Sequence, residues 1–254
     1  MNFSKKKFDQ NGYCVFNFNK KLILNTKKKI FHLISSALSE KHKINKITEK
    51  KIINFYHSNY KNDIVRILDH VGFFSELYSF ANQKKIIEIT NKAGLKFPVI
   101  GFNNKGGRGG LPFLYSFPND KKRYYKAHQD IFYLPYSMNS VTLWVPLQNT
   151  TKKNGALKVI PKSHINYDLL GHSAKDVKNN KLNKHYTEKD FKTVDVKLGQ
   201  ALIFSSYLVH KSGSNNSNEV RMSFNVRYND LLDKEYINRG LSFDKFPDKN
   251  LIDL

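Results

Sequence analysis

Sulfur and arginine are scarce in this chain, and long apolar runs are missing. One cysteine, Cys14, in 254 residues excludes an intrachain disulfide and fits a reducing compartment, so the expected address is cytoplasmic. No apolar stretch approaches the length of a bilayer span. Residues Met1 to Phe16 carry Lys5, Lys6 and Lys7 but lack the apolar core of a signal peptide, so neither a membrane span nor export is expected. Acidic residues are few, 21 against 43 Lys and Arg, which leaves a formal net charge of +22. Such an excess attracts polyanions. Only six of the cationic side chains are arginine, however, and the lysines are spread along most of the chain. Phosphate and base readout leans on the planar fork of arginine, so specific nucleic-acid binding is not expected, whereas a small anionic substrate is compatible with the charge. What is present is ordinary for a folded protein: 40% hydrophobic and 13% aromatic residues, enough to bury a sizeable core in one domain.

The chain divides by periodicity. Ile30, Phe31, Leu33, Ile34, Ala37 and Leu38 repeat at helix spacing, as do Ile64, Val65, Ile67, Leu68 and Val71. Gly94 and Pro98 end that pattern. Short runs of period two follow: Ser140 to Leu147, Ala156 to Ile160, Thr193 to Leu198, Ala201 to His210 and Val220 to Tyr228. Lys153-Asn154-Gly155 reads as a hairpin signal. The expected architecture is α+β and mainly β, with a helical part over 1–95, a sandwich or jelly roll over 96–230 and a C-terminal extension over 231–254. Two segments break the rhythm. The Gly-rich stretch Asn103 to Gly110 lacks the Gly-Lys-Ser/Thr of a phosphate cradle and reads as a mobile connector. Tyr167 to Asp190, rich in Lys and Asn and holding His172 and His185, reads as a solvated insertion suited to a lid.

The candidate chemistry sits in His128-Gln129-Asp130 and in His210, at the end of an apolar run. Residues two apart on a strand project from one face, so this imidazole and carboxylate can grip one ion, with the third ligand coming from elsewhere. Two histidines and one carboxylate on one face of an octahedron leave three positions open, which suits non-haem iron and oxidative chemistry. A surface pair at a strand start together with a core histidine would give the same residues. Context raises the metal reading. In Val220 to Tyr228 one side is apolar, while Arg221, Ser223, Asn225 and Arg227 share the other. Placing two of six arginines there favours a carboxylate clamp, because paired charge-assisted bonds to a carboxylate are beyond lysine. Arg221 follows His210 closely enough for a hairpin to bring clamp and metal into one cavity.

The stretch from His128 to His164 resembles the phytanoyl-CoA dioxygenase family. It contains His-Gln-Asp, then Val141-Thr142-Leu143-Trp144-Val145-Pro146-Leu147, then Asn154-Gly155-Ala156-Leu157 running to Pro161-Lys162-Ser163-His164. Gly199 to Phe204, His210, Asn215 and Arg221 to Tyr228 are similar to that family's closing strands, and Phe8 to Phe18 to its opening. The resemblance implies a double-stranded β-helix (jelly-roll, cupin-like) core with helices packed on one sheet. It also implies a dioxygenase that takes Fe(II), 2-oxoglutarate and O2 and hydroxylates a small metabolite, anionic or carrier-bound. Carried over by position, it makes His128, Asp130 and His210 the metal ligands and gives Arg221 and Ser223 the distal carboxylate of 2-oxoglutarate. Thr142, Trp144 and Tyr115 become lining residues of the cosubstrate pocket, with core packing the alternative for all three. His164 is structural in that scheme, and Arg227 either orients substrate or braces the barrel. Ala127, Lys162 and Gln200 depart from the family's usual Trp, Gly and Asp; none is a ligand position. Two rivals remain: a catalytically inactive basic binding module on the same fold, and a cupin-like metalloenzyme that needs no 2-oxoglutarate.

Overall fold

A computed structural model describes residues 2–44, 49–101, 111–120, 124–133, 137–166, 186–238 and 240. The Gly-rich stretch 103–110, the histidines 172 and 185 and most of the C-terminal extension lie outside them. The helical part opens with α1 (Lys5–Asn11), capped by the Ser4 side chain, and Gly12 closes it with φ of 81°. A side chain at Gly12 would strain that left-handed turn and strike the His164 ring and Leu208. The strand β1 (Tyr13–Asn17) follows directly. Next comes α2 (Lys20–His42), whose Asn19 cap accepts from the Leu22 amide and whose Ile23, Thr26, Ile30, Ile34 and Leu38 fall at i, i+3/i+4 spacing on one buried stripe. Helices α3 (Glu49–Asn59), α4 (Lys61–His70), α5 (Ser75–Ala81) and α6 (Lys84–Ala93) complete the layer, which stops at Gly94 as the sequence indicates. No helix among the described residues is long and apolar enough to cross a membrane.

Eight further strands follow among the described residues: β2 (Pro98–Ile100), β3 (Phe113–Ser116), β4 (Ser140–Pro146), β5 (Lys158–Val159), β6 (Lys192–Thr193), β7 (Gln200–Ser205), β8 (His210–Lys211) and β9 (Arg221–Asp230). A short helix, α7 (Lys234–Asn238), comes last. They form a six-stranded antiparallel sheet in the order β1-β7-β4-β9-β2, with β3 also on β9, and a three-stranded sheet, β6-β5-β8. The opening strand β1 thus belongs to the large sheet rather than to a separate helical unit.

Strand alternation divides the interior into two cores. Val141, Leu143, Val145, Ile203, Phe224, Val226 and Tyr228 face the helices and merge with Ile30, Ile34, Leu68 and Phe80. Trp144, Leu202 and Phe204 face the other way and pack on Leu157, Val159, Val194, Val196 and Leu208 beneath the small sheet. Two sheets closing on a shared interior, with helices on the outer face of one, form the cupin-like double-stranded β-helix.

Three local readings are corrected. Lys153-Asn154-Gly155 does make a tight turn, with Gly155 at φ of 85°, but it carries the chain from β4 in one sheet to β5 in the other, not round a hairpin. The run Ala201 to His210 is not one strand. It turns after Ser205, where the Leu208 amide donates to the Ser205 carbonyl at 2.9 Å, and β8 joins the opposite sheet. The pair β8 and β9 is likewise a crossover between sheets, so His210 and Arg221 approach the interior from opposite walls.

Candidate metal centre and anion pocket

His128 and His210 are held face to face by the backbone. Each donates its amide to the other's carbonyl at 3.0 Å, an antiparallel bridge that extends the small sheet and brings the two rings to 4.2 Å between centroids. Asp130 starts a 3-10 turn, Asp130–Tyr133, anchored on either side. The Gln129 amide group donates to the Tyr207 carbonyl at 2.7 Å, and the Ile131 amide to the Ser206 carbonyl at 3.1 Å. The turn points the Asp130 carboxylate at both imidazoles, with Oδ1 at 3.6 Å from His128 Nε2 and 3.9 Å from His210 Nε2. The three side chains are buried, and their ligand atoms all lie within 4.8 Å of one another.

Tautomers follow from the neighbours. His128 Nδ1 meets the Lys126 carbonyl at 2.7 Å and His210 Nδ1 the Leu208 carbonyl at 2.9 Å. A carbonyl can only accept, so each Nδ1 carries the proton and each Nε2 presents a lone pair to the carboxylate side. Burial, followed by the neighbouring His128, lowers the His210 pKa to about 4, against the opposing pull of Asp130. A neutral imidazole is the form that binds a metal.

Asp130 stays ionised for a different reason. Burial opposes its charge, but the Arg227 guanidinium, the chief opposing influence, outweighs it and holds the carboxyl well below its usual range. Arg227 grips it through Nη2 to Oδ1 at 2.9 Å and Nε to Oδ2 at 3.2 Å, while Thr142 Oγ1 donates to Oδ2 at 2.6 Å. Both open readings of Arg227 therefore give way to a third: it clamps a candidate ligand. Thr142 adds one hydroxyl hydrogen bond to the same carboxylate and helps orient that candidate ligand.

Further along the same face of β9 lies Arg221, 3% exposed. Its Nη1 donates to Ser223 Oγ at 2.9 Å and its buried Nε has no acceptor. Among the described residues it forms no ion pair with a carboxylate. Burial lowers its pKa to about 10, with Tyr125 alone opposing. Tyr125, which sequence reasoning missed, is half-exposed and lies 6.2 Å from the His128 ring, so it borders both the anion site and the ligands. Trp144 is register partner of Asn225 between Arg221 and Arg227, and its buried Nε1 also lacks an acceptor.

Tyr115 does not join this group. Its neighbour in register is Met222, on the helical side, and its hydroxyl donates to Asp69 at 2.8 Å. Leu114 and Ser116, partners of Ser223 and Arg221, take the inner face instead. His164 ties the turn before the insertion to α1, its Nε2 3.0 Å from the Asp9 carbonyl, away from the ligands. Beside His210, buried Lys211 pairs with Glu188 and lies 3.9 Å over the Phe191 ring. With Lys158 also on Glu188, this clip fastens the described end of the insertion to the small sheet.

Residues 108–223 match the model of the phytanoyl-CoA dioxygenase (PhyH) family. Over that stretch the chain is similar to this family. Its match spans His128, Asp130, His210 and Arg221 and stops short of Arg227. A methylphosphonate hydroxylase of Gimesia maris is 31% identical over 125 residues, which cover 47% of this chain and 46% of that protein; the chain thus spans about half of that relative's length. Among solved structures, the non-haem monooxygenase ThoJ superposes with a TM-score of 0.58 at 16% identity, over 90% of this chain and 77% of its own. SnoN, a non-haem alpha-ketoglutarate-dependent epimerase from nogalamycin biosynthesis, gives 0.58 at 16% identity, over 89% of this chain and 82% of its own. These superpositions establish the shared fold.

Proposed function

We propose that the chain is one oxygenase domain, 1–254, using Fe(II), 2-oxoglutarate and O2 to hydroxylate a small molecule. The observation that carries this reading is the buried Arg221, a guanidinium with no carboxylate of its own among the described residues, on the same inner face as a clamped candidate metal-ligand set. An isolated buried cation is strongly disfavoured unless an anion completes it. A dicarboxylate fits, because one end meets Arg221 while the other reaches the space before His128, Asp130 and His210.

The donor set suits the metal. Two neutral nitrogens and one ionised oxygen converge with their lone pairs free, and the rest of the coordination sphere is left to small ligands. Iron(II) held there supplies the redox centre at which 2-oxoglutarate and O2 give succinate and CO2 while a substrate C–H becomes C–OH. The chain's share is positional. The Lys126 and Leu208 carbonyls fix both imidazole tautomers; Arg227 and Thr142 fix the carboxylate, the kind of outer support that tunes ligand geometry. Arg221, with Ser223 and the unpaired Trp144 Nε1, orients the cosubstrate's distal carboxylate through charge-assisted bonds. Walls of Phe204, Leu202 and Trp144 keep bulk water from the reacting end.

Anaerobic protein given Fe(II) and 2-oxoglutarate should develop a visible charge-transfer band and, on admission of air, release succinate. Asp130→Ala should abolish both, and Arg221→Ala should raise the 2-oxoglutarate concentration needed by about 10-fold or more, as for loss of a charged hydrogen-bond pair. Succinate release that survives Asp130→Ala would remove the metal assignment. A band that forms without 2-oxoglutarate dependence would favour the cupin-like metalloenzyme, and salt-sensitive polyanion binding without any metal uptake the inactive module.

A further inference from the structure

The inner face of β9 continues past Arg227 to Asn229, which belongs to neither the candidate metal centre nor the anion pocket. Asn229 is 1% exposed, and neither its amide nitrogen nor its carbonyl oxygen has a hydrogen-bond partner. Gln129 is satisfied by the Tyr207 carbonyl, and Asn215 by the carbonyls of Ser116 and Glu219 together with Ser217; Asn225 and Gln148 each leave a buried side-chain oxygen unpaired, and among the described residues Asn229 alone leaves both atoms so. A buried donor and acceptor left empty side by side destabilise a fold, and such a pair calls for a specific explanation.

Register fixes the direction of this side chain. Tyr228, one residue earlier, reaches the Ala81 carbonyl in the helical layer, so Asn229 points the opposite way, into the space between the sheets, as Arg227 does. Its partners in register are Ser140 on β4 and Val99 on β2. Ser206 stands beside Ser140, their hydroxyls bonded to each other and Ser206 also donating to the Ser140 carbonyl. Along the strand the order is Arg221, then the Trp144–Asn225 row, then Arg227 with Thr142 and Asp130, then Asn229. The metal-ligand layer thus lies between the anion site and this second polar row. The row is neutral: Val99, Asn229, Ser140 and Ser206 carry no charge, and Arg227 is already engaged by Asp130.

Building on the oxygenase reading, we propose that Asn229 anchors the primary substrate on the far side of the metal ligands from Arg221. Its empty donor and acceptor fit an uncharged group that both gives and accepts a hydrogen bond, a hydroxyl or a carboxamide. An oxyanion could use only the donor and would leave the carbonyl oxygen facing negative charge. This narrows the substrate class from small metabolites in general, anionic or carrier-bound, to one presenting a neutral polar group near the reacting carbon.

Asn229→Leu is close to isosteric and removes both unpaired atoms. Metal-free, the variant should melt about 2–4 °C above wild type, as expected for relief of an unsatisfied buried group in a chain of this size. With Co(II) and 2-oxoglutarate bound, millimolar glycerol or acetamide should raise the melting temperature of wild type but not of Asn229→Leu, and methylphosphonate should raise neither. A fall in the melting temperature of metal-free Asn229→Leu would overturn the proposal, since the amide would then be structural. So would neutral probes acting equally on both proteins, or a methylphosphonate effect that requires Asn229. If no probe acts on wild type, the sign of the metal-free shift decides. Should Asn229→Leu fail to fold, Asn229→Val, β-branched and suited to a strand, is read in the same way. Failure of wild type to bind Co(II) and 2-oxoglutarate would strike the oxygenase reading itself, independently of Asn229.

Discussion

Replacing Arg227 with glutamine tests whether the clamp on Asp130 is structural support for a ligand or an incidental contact. Asp130 is fully buried, and two guanidinium nitrogens reach it at 2.9 and 3.2 Å. Removing one partner of such a pair costs about 3–5 kcal/mol, because the remaining charge is left in a poorly solvating interior. At about 2–4 °C per kcal/mol for a chain of this size, the metal-free variant should melt about 6–20 °C lower. The loss should depend on charge. In an Asp130→Asn background the same change should cost much less, giving a coupling of about 2 kcal/mol or more in a double-mutant cycle. It should also shrink as pH falls from neutral toward 5. Without Arg227, burial raises the Asp130 pKa, so the carboxyl escapes its unpaired state by taking a proton. Guanidinium denaturation of the four proteins in chelator, at two pH values, measures all three quantities. A loss within about 1 kcal/mol of wild type, or an equal loss with Asp130→Asn, would refute the reasoning and return Arg227 to a role in substrate contact.

Thr142→Val keeps shape but deletes the 2.6 Å hydrogen bond to Asp130; metal affinity should fall about 10- to 100-fold, as is usual for an outer partner of a ligand, measured by Co(II) titration. His210 titrates at about 4 in the fold against 6.5 unfolded. Its neutral form therefore contributes stability that is complete above pH 6.5 and is lost as pH falls toward 4, up to about 3 kcal/mol. Denaturation of metal-free protein across that window should show the decline, and His210→Gln should flatten it. Tyr115→Phe should lower stability by about 1 kcal/mol through loss of its bond to Asp69 while leaving the 2-oxoglutarate dependence of the visible band unchanged. Glu188→Gln, although it faces both Lys158 and Lys211, should cost under about 1 kcal/mol and less in high salt, because its side chain is mostly exposed.

Parity along a strand was readable wherever the strand was long enough to state its own phase. In Val220 to Tyr228 the apolar and polar sets alternate without a break, and the structure keeps them on opposite faces, so Arg221 and Arg227 could be placed together from sequence. What Arg227 meets could not be read, since its partner Asp130 lies on a turn far upstream and the match is made only when β9 pairs with β4. Tyr115 failed for the complementary reason. Four residues, Phe113–Ser116, are apolar on both sides apart from one serine, so their phase is set by register against β9; a one-residue slip exchanges Tyr115 for Leu114 and Ser116. The broken run Ala201 to His210 shows the same limit. Tyr207, Leu208 and Val209 are all buried, and their apolar pattern runs straight through the corner where the chain changes sheets. Local pattern reports burial, whereas the candidate metal centre depends on which wall each buried residue occupies. Asn229 extends this point. Its burial conflicts with its polarity, and that conflict becomes informative only once pairing with Ser140 sets it one row beyond the candidate metal ligands, where an unsatisfied amide suits the proposed substrate contact better than a role in the fold.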